Sequence, residues 1–371
     1  MYISKLIVNN FRNFNHFNVP LGQRVFLTGP NGCGKSNFLE ILRLLSDISN
    51  NGLKGSVNRR GRMHFIRNIS MDQNAVTSIE IHLSEEESET VWKYAIGINA
   101  QSSLTYEKVW KNNIQLLNRP DENDLKDPLR LTQTYLEQSA ANSDFRPISQ
   151  FFEQIHYFHI IPQIIRYPSD FVKNDSSEIL NENHFLKQMA CIPYDIRINH
   201  IERIEQILSI VIPNVQSFTY VEDYYSKPHL KIKDISDNEF YENQFSDGML
   251  RMIGLIWSVL QENTVLLLEE PELSLNTGIL SKLPSLMYRF QQHKKQKQQI
   301  ILSTHSYDLL LDEGIAPEDV LLFTPDKTGT TVQPLSAHNE IMKLIEAGIP
   351  LSDVLLPYTA SPDIHKLELV R

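Results

Sequence analysis

The feature that most constrains this chain is the run Gly29-Pro30-Asn31-Gly32-Cys33-Gly34-Lys35-Ser36. It fills every fixed position of the pattern GxxxxGK[ST]. It stands between an apolar strand, Val25-Phe26-Leu27-Thr28, and a helical pattern of Phe38, Leu39, Ile41, Leu42, Leu44, Leu45 and Ile48. Strand, glycine turn and helix are the context that the pattern requires. The glycines let backbone N–H groups converge on phosphate oxygens, and the helix N-terminus adds its positive end. Lys35 is placed to neutralise β/γ-phosphate charge, and the Ser36 hydroxyl to ligate Mg2+. Cys33 occupies a variable position of the loop. It reads either as a tolerated residue or as a redox switch, with no resolving cysteine nearby.

A second apolar strand, Thr264–Leu268, runs into Glu269-Glu270-Pro271-Glu272. Strands of this kind are buried in parallel sheets, whose ligands gather at the carboxyl ends of the strands. Glu269 is expected on the metal side and Glu270 beside the attacking water. The alternative is a solvated strand end. Gln299–Ser303 is a third strand, and it leads to Thr304-His305-Ser306. His305 is either a structural histidine or a sensor of the γ-phosphate. Phe245-Ser246-Asp247-Gly248 precedes a helical pattern and forms a second possible anion-binding turn.

The remaining chain sorts around these pieces. Val76–Leu83, Val91–Ile98, Leu104–Trp110 and Ile114–Leu117 are rich in β-formers and predict an antiparallel meander. Residues 131–141 and 147–158 look like amphipathic helices, and residues 196–211 form a helical face that stops at Pro213. The strands 215–222 and 229–235 follow, and then helix and strand alternate to residue 303. The expected organisation is an N-terminal lobe at 1–117, a mainly helical insertion at 118–213 and a C-terminal lobe at 214–371. The fold class is α/β, with a mixed or parallel sheet, an N-terminal antiparallel β region and a mainly helical central insertion.

Composition bounds the partners. With 45 acidic and 35 basic residues the net charge is −10, so the chain is no polycation that coats nucleic acid or anionic membrane. Basic residues do cluster locally: Lys54, Arg59, Arg60, Arg62 and Arg67 lie among glycines in what reads as a flexible loop. That loop is the candidate for any nucleic-acid contact. Two cysteines without metal spacing, and no apolar run of membrane-spanning length, point to a soluble cytoplasmic protein. Lys5, Asn9, Asn10 and Arg12 interrupt the N-terminus, which does not read as a signal peptide.

Taken together these motifs resemble the ABC-type ATPase heads of the RecF/SMC group. The likeness is strongest to bacterial AAA-family ATPases related to the overcoming-lysogenisation-defect proteins. Asn10-Phe11-Arg12-Asn13-Phe14 is similar to that group's NFRNF opening. The phosphate loop, Phe245-Ser246-Asp247-Gly248, the Glu-Glu-Pro-Glu strand end and Ser303-Thr304-His305-Ser306 follow in family order. Asp247 and Met249 depart from the transporter signature LSGGQ, and Ser274–Thr277 replaces the branch's Gly-Leu-His-Pro.

The resemblance implies that Gly29, Pro30, Asn31, Gly32, Cys33, Gly34, Lys35 and Ser36 bind ATP with Mg2+, and that Arg12 contacts the nucleotide. It implies that Ser36 and Glu269 hold the metal, and that Lys35, Glu270 and His305 serve catalysis. Ser246 and Gly248 would reach the γ-phosphate of the opposite subunit in a homodimer or higher assembly with ATP at the interface. Gln73 is a candidate for the family's loop glutamine. About 65 residues follow His305, too few for the nuclease-type Toprim domain of related proteins. A separately encoded effector, a nuclease or Toprim protein in an anti-phage system, is therefore expected. The alternatives are a RecF-like clamp on DNA and a slowly hydrolysing scaffold.

Overall fold

The structure is a computed structural model that describes all residues except 73, 86–89, 168–184, 263, 293, 295–296, 328 and 360–371. Gln73 therefore lies outside the described residues. The chain divides into two compact units. The first comprises Met1–His156, Asn263–Glu269 and Lys295–Arg371; the second comprises Tyr157–Glu262 and Glu270–Lys294.

Of the twelve strands in two six-stranded sheets, eleven lie wholly in the first unit and one runs past its boundary at His156. One sheet contains β1 (Tyr2–Phe11), β2 (Phe14–Pro20), β4 (Thr77–Ser84), β5 (Thr90–Ile98), β6 (Leu104–Lys111) and β7 (Ile114–Arg119). Its order is β2-β1-β4-β5-β6-β7, antiparallel throughout. The predicted meander is present, and β4 alternates buried and half-buried residues as a one-sided strand should.

The other sheet contains β3 (Arg24–Thr28), β8 (Ile155–Phe158), β12 (Val265–Glu269), β13 (Gln299–Ser303), β14 (Val320–Asp326) and β15 (Gly329–Pro334). Its order is β15-β14-β3-β13-β12-β8. The pairs β14–β3, β3–β13 and β13–β12 are parallel, and β14–β15 is antiparallel. The apolar runs of β3, β12 and β13 are buried, as parallel strands demand. Strands β14 and β15, downstream of His305, were not anticipated.

Helix α1 (Lys35–Asn51) follows the glycine turn and buries all seven of its patterned apolar residues. Phe38 stacks on Phe17 at 5.5 Å between ring centroids and meets Phe323 edge-on at 5.7 Å. Phe14 also packs edge-on against Phe323. This cluster joins β2, α1 and β14, and such ring pairs each add about 0.5–1.5 kcal/mol beyond their burial. Gln299 performs the polar counterpart. Its buried amide bonds Ile3 N and Ile3 O at 2.9 and 2.8 Å, and Gly22 O at 2.7 Å. It thereby satisfies backbone groups at the irregularity of β1 between Ile3 and Lys5.

Two expectations require correction here. The basic segment is no flexible loop but two helices, α2 (Leu53–Arg59) and α3 (Met63–Ile66). The side chain of Arg60 is only 5% exposed and bridges Glu40 at 2.5 Å and Asp47 at 2.6 Å on α1. Arg59 also pairs with Asp47. Two of the charges that looked free in sequence, Arg59 and Arg60, are held in ion pairs to α1.

Residues 131–141 are likewise no α-helix. A 3-10 turn at Pro128–Thr132 gives way to turns, because their backbone groups are claimed by a buried ion cluster. Arg119 donates to Gln133 O and Arg130 O, each at 2.9 Å, and Glu107 accepts from Tyr135 N. Arg119 also pairs with Glu107 at 3.0 Å and Asp124 at 2.9 Å, and lies 4.0 Å over the Tyr135 ring. The helix expected at 147–158 is met over Arg146–Glu153, after which the chain becomes β8.

The second unit carries the helix Tyr194–Val211, a small sheet of order β11-β10-β9 and the helix Asp247–Leu260. Its strands are β9 (Val215–Glu222), β10 (Pro228–Asp234) and β11 (Glu239–Tyr241). The helix Asp247–Leu260 is buried over most of its length, with Trp257 stacked edge-on against His200. Among the described residues no helix is long and apolar enough to cross a membrane.

Hydrogen bonds from Arg119 hold the Asp124 carboxyl down at about 2, against the opposing effect of burial. A carboxyl depressed in the folded state stabilises it fully above its unfolded value, and the contribution is lost as pH falls from about 4 towards 2. The difference in urea midpoint between the parent and Asp124→Asn is therefore expected to be constant from pH 5 to 8 and to shrink below pH 4. Arg119→Leu, which takes from the buried Glu107 its ion-pair partner and leaves Asp124 with Arg130 alone, should cost about 3–5 kcal/mol in the same measurement.

Candidate nucleotide-binding site

Parallel pairing builds the site in the first unit. Ser303 of β13 stands beside Leu27 of β3 on one side and Glu269 of β12 on the other. The phosphate loop, the segment of His305 and the first carboxylate thus leave the sheet together, at the carboxyl ends of three adjacent parallel strands. The loop itself needs its glycines. Gly29, Gly32 and Gly34 have φ of 151, 77 and 104°, and a Cβ on Gly29 would come within 2.5 Å of Phe323 O. A Cβ on Gly34 would overlap the Asn13 amide.

Lys35 crosses the loop and donates from Nζ to Gly29 O at 2.8 Å and Pro30 O at 3.1 Å. Ser36 donates from Oγ to Glu269 Oε1. Hydroxyl and carboxylate oxygens are the donor set that Mg2+ takes alongside phosphate and water. These two residues therefore fit the metal that the loop pattern implies. Cys33 is buried in the loop; burial pushes its thiol up, with Lys35 opposing.

The hairpin between β1 and β2 reaches the same loop. Arg12 has φ 45°, a left-handed conformation that costs a non-glycine residue about 1 kcal/mol or more. Its backbone N–H bonds Ile66 O at 2.7 Å, and its Nη1 donates to Asn37 Oδ1 at 2.7 Å. Burial lowers the pKa of its guanidinium, while the neighbouring Glu40 charge opposes this. His305 is half-buried just past β13, where Thr304 N bonds Leu27 O at 3.0 Å.

The second unit holds Ser246, Gly248 and Glu270. Ser246 caps the helix Asp247–Leu260, accepting at Oγ from Met249 N at 3.2 Å. Arg166 braces this turn: it donates to Phe245 O at 2.5 and 3.2 Å and pairs with Asp247 at 2.5 Å. Gly248 lies so close to the following turn that a Cβ would meet Ser274 O at 2.6 Å. Glu270 has φ 42° and Ser274 φ 63°, so the turn after the carboxylate strand is held in left-handed backbone. Arg251, whose pKa is lowered by burial, feels the charges of Asp247 and Glu270. Within this unit, then, the candidate signature turn and the Glu270 turn are neighbours.

The sequence reading missed Asn13, Asn37 and Arg166. Asn13 lies in the quoted opening motif, but no linear spacing ties it to the loop. Arg166 stands alone in sequence, and only the fold brings it to the turn at Phe245.

Comparison with known proteins defines the class. The head domain of an Smc protein bound to the C-winged helix domain of ScpA matches with TM-score 0.54 at 14% identity, over 90% of this chain and 97% of that one. The Smc head domain with an extended coiled coil from Pyrococcus furiosus, bound to the C-terminal domain of ScpA, matches with TM-score 0.53 at 13% identity, over 93% and 99%. The Smc head domain with coiled coil and joint from Pyrococcus yayanosii matches with TM-score 0.54 at 10% identity, over 94% and 100%. The fold is that of an SMC/RecF-like ABC-type ATPase head. A family model described as "AAA domain, putative AbiEii toxin, Type IV TA system" matches residues 24–312, and the chain belongs to this family. No curated protein matches the sequence.

The Gly29 contact is with backbone, which cannot move aside as a side chain could. Gly29→Ala should therefore displace the loop from β14 and lower stability by about 1–3 kcal/mol, read as a drop in the thermal unfolding midpoint.

Proposed function

We propose that this protein binds and hydrolyses ATP and works as a nucleotide-dependent dimerisation switch. The observation that carries the reading is the pairing of Ser36 with Glu269 at the foot of the phosphate loop, with Lys35 laid across that loop. In this reading the N–H groups of residues 29–36 cradle the triphosphate, and Lys35 exchanges its loop carbonyls for β/γ-phosphate oxygens. Ser36 and Glu269 hold Mg2+, which when bound neutralises charge on the β- and γ-phosphates. Arg12 reaches the nucleotide from the hairpin. Glu270, next in the chain after Glu269, takes the proton of the attacking water, and His305 faces the γ-phosphate. Water attacks phosphorus, the bond to the β-phosphate oxygen breaks, and ADP and phosphate leave. Ser246 and Gly248 act on the nucleotide of a second copy, so two ATP molecules close the homodimer.

The switch controls a separately encoded effector in anti-phage defence. The family's printed description, a toxin-type AAA domain of a type IV TA system, supports a role of this kind. The DNA-clamp alternative loses support at residues 54–67, where Arg59 and Arg60 are engaged with α1. An adjacent gene for a nuclease or Toprim protein, whose product co-purifies with this chain, is the expected finding for the effector.

Lys35→Ala should abolish ATP binding in calorimetry. Glu270→Gln should bind ATP normally, slow turnover by about 10²–10⁴-fold and accumulate as an ATP-bound dimer in mass measurements. Parental turnover in Glu270→Gln would remove Glu270 as the base. Full activity in Ser246→Arg would remove the need for composite sites across a dimer.

A further inference from the structure

Asn13 sits at the centre of a small polar network in the first unit. Its Nδ2 donates to Cys33 O and to Thr330 Oγ1, each at 2.9 Å. Its Oδ1 accepts from Asn37 Nδ2 at 2.6 Å, and Asn37 Oδ1 in turn accepts from Arg12 Nη1 at 2.7 Å. Its own carbonyl accepts from Thr330 N at 3.0 Å. The orientation of the amide is determined by these partners. Flipping it would set oxygen against the Cys33 carbonyl and nitrogen against the Asn37 amide. Two glycines make room for it: a Cβ on Gly34 would overlap the Asn13 side chain, and one on Gly329 would meet Asn13 O at 2.5 Å. A hairpin turn needs none of these contacts in order to close.

We infer that Asn13 is a positioning residue for the phosphate loop. The peptide between Cys33 and Gly34 is planar and trans, so its C=O and N–H point in opposite directions. By holding the Cys33 carbonyl, Asn13 turns the Gly34 N–H away from the hairpin and towards the phosphate side of the loop. Through Asn37 the same amide relays the loop's position to the Arg12 guanidinium. The hairpin therefore sets the direction of a phosphate-binding N–H and the place of a phosphate-binding cation together. This inference rests on the reading of the loop as an ATP site.

The full chain carries the test, on a Cys191→Ser background that leaves Cys33 as the one thiol. Reaction of nucleotide-free protein with an aromatic disulfide reagent reads release of the loop, and calorimetry with ATP and Mg2+ reads affinity. Asn13→Ala is expected to make Cys33 react about tenfold faster and to weaken ATP binding about tenfold, the scale set by lost hydrogen bonds. Asn13→Asp keeps the shape and the acceptor for Asn37 but loses the donor to Cys33 O. It should move both readouts the same way, and it decides the matter if the alanine variant does not fold. A residue with a merely structural role would lower the unfolding midpoint and leave the ATP affinity of the folded protein unchanged. Parental thiol reactivity or parental ATP affinity in either folded variant overturns the inference. Lys35→Ala separates the two levels. If it loses ATP while the Asn13 variants behave as the parent, only the role of Asn13 falls. If it binds ATP as the parent does, the nucleotide reading itself falls.

Discussion

The parallel ladder that sets Leu27, Ser303 and Glu269 abreast is the constraint on which the first unit's site depends. Side chains alternate along a strand, so a slip of one residue would turn each strand's end group to the other face. Strands β3, β12 and β13 are apolar almost throughout and buried, which holds them inside the sheet but does not by itself choose a register. Gln299 pins the start of β13 to β1 and to Gly22. Hydrophobic burial sets how deep the strands lie, and one buried amide helps to set where they begin.

Around this ladder, charge serves as internal scaffolding. Arg60 joins α2 to α1 through Glu40 and Asp47, and Glu40 also lies 3.9 Å from Arg12. Arg119 organises residues 124–135 by occupying their carbonyls and pairing with buried carboxylates. The Arg119 pairs are fully buried and the Arg60 pairs nearly so, and losing one partner there is more costly than at the surface. An acidic chain whose arginines are used in this way has fewer of them for a polyanionic partner.

Legibility in the sequence followed the range of the interaction. The phosphate loop, the carboxylate strand and the strand of His305 were readable because each is a local pattern whose burial produces its own signal. The meander was readable for the same reason. The helix expected at 131–141 was not formed, because its amphipathic spacing competes with an arginine from β7 that no window around those residues contains. The basic segment read as a loop because its glycines are local, whereas the carboxylates that fold it are on α1. Arg166 and Asn13 carried no local signal, since each acts through partners distant in sequence.

By itself the sequence determined that a phosphate loop joins a strand to a helix within a parallel sheet, and which residues end the neighbouring strands. Those facts follow from glycine's backbone freedom and from apolar runs long enough to be buried. Only the tertiary structure decided that the Arg12–Asn13 hairpin grips that loop, that Arg60 is a tie rather than a free charge, and that Gly248 lies against Ser274. Each of these is a contact between segments far apart in the chain. Its formation depends on packing geometry and on which buried polar groups find partners, and neither is encoded in local spacing.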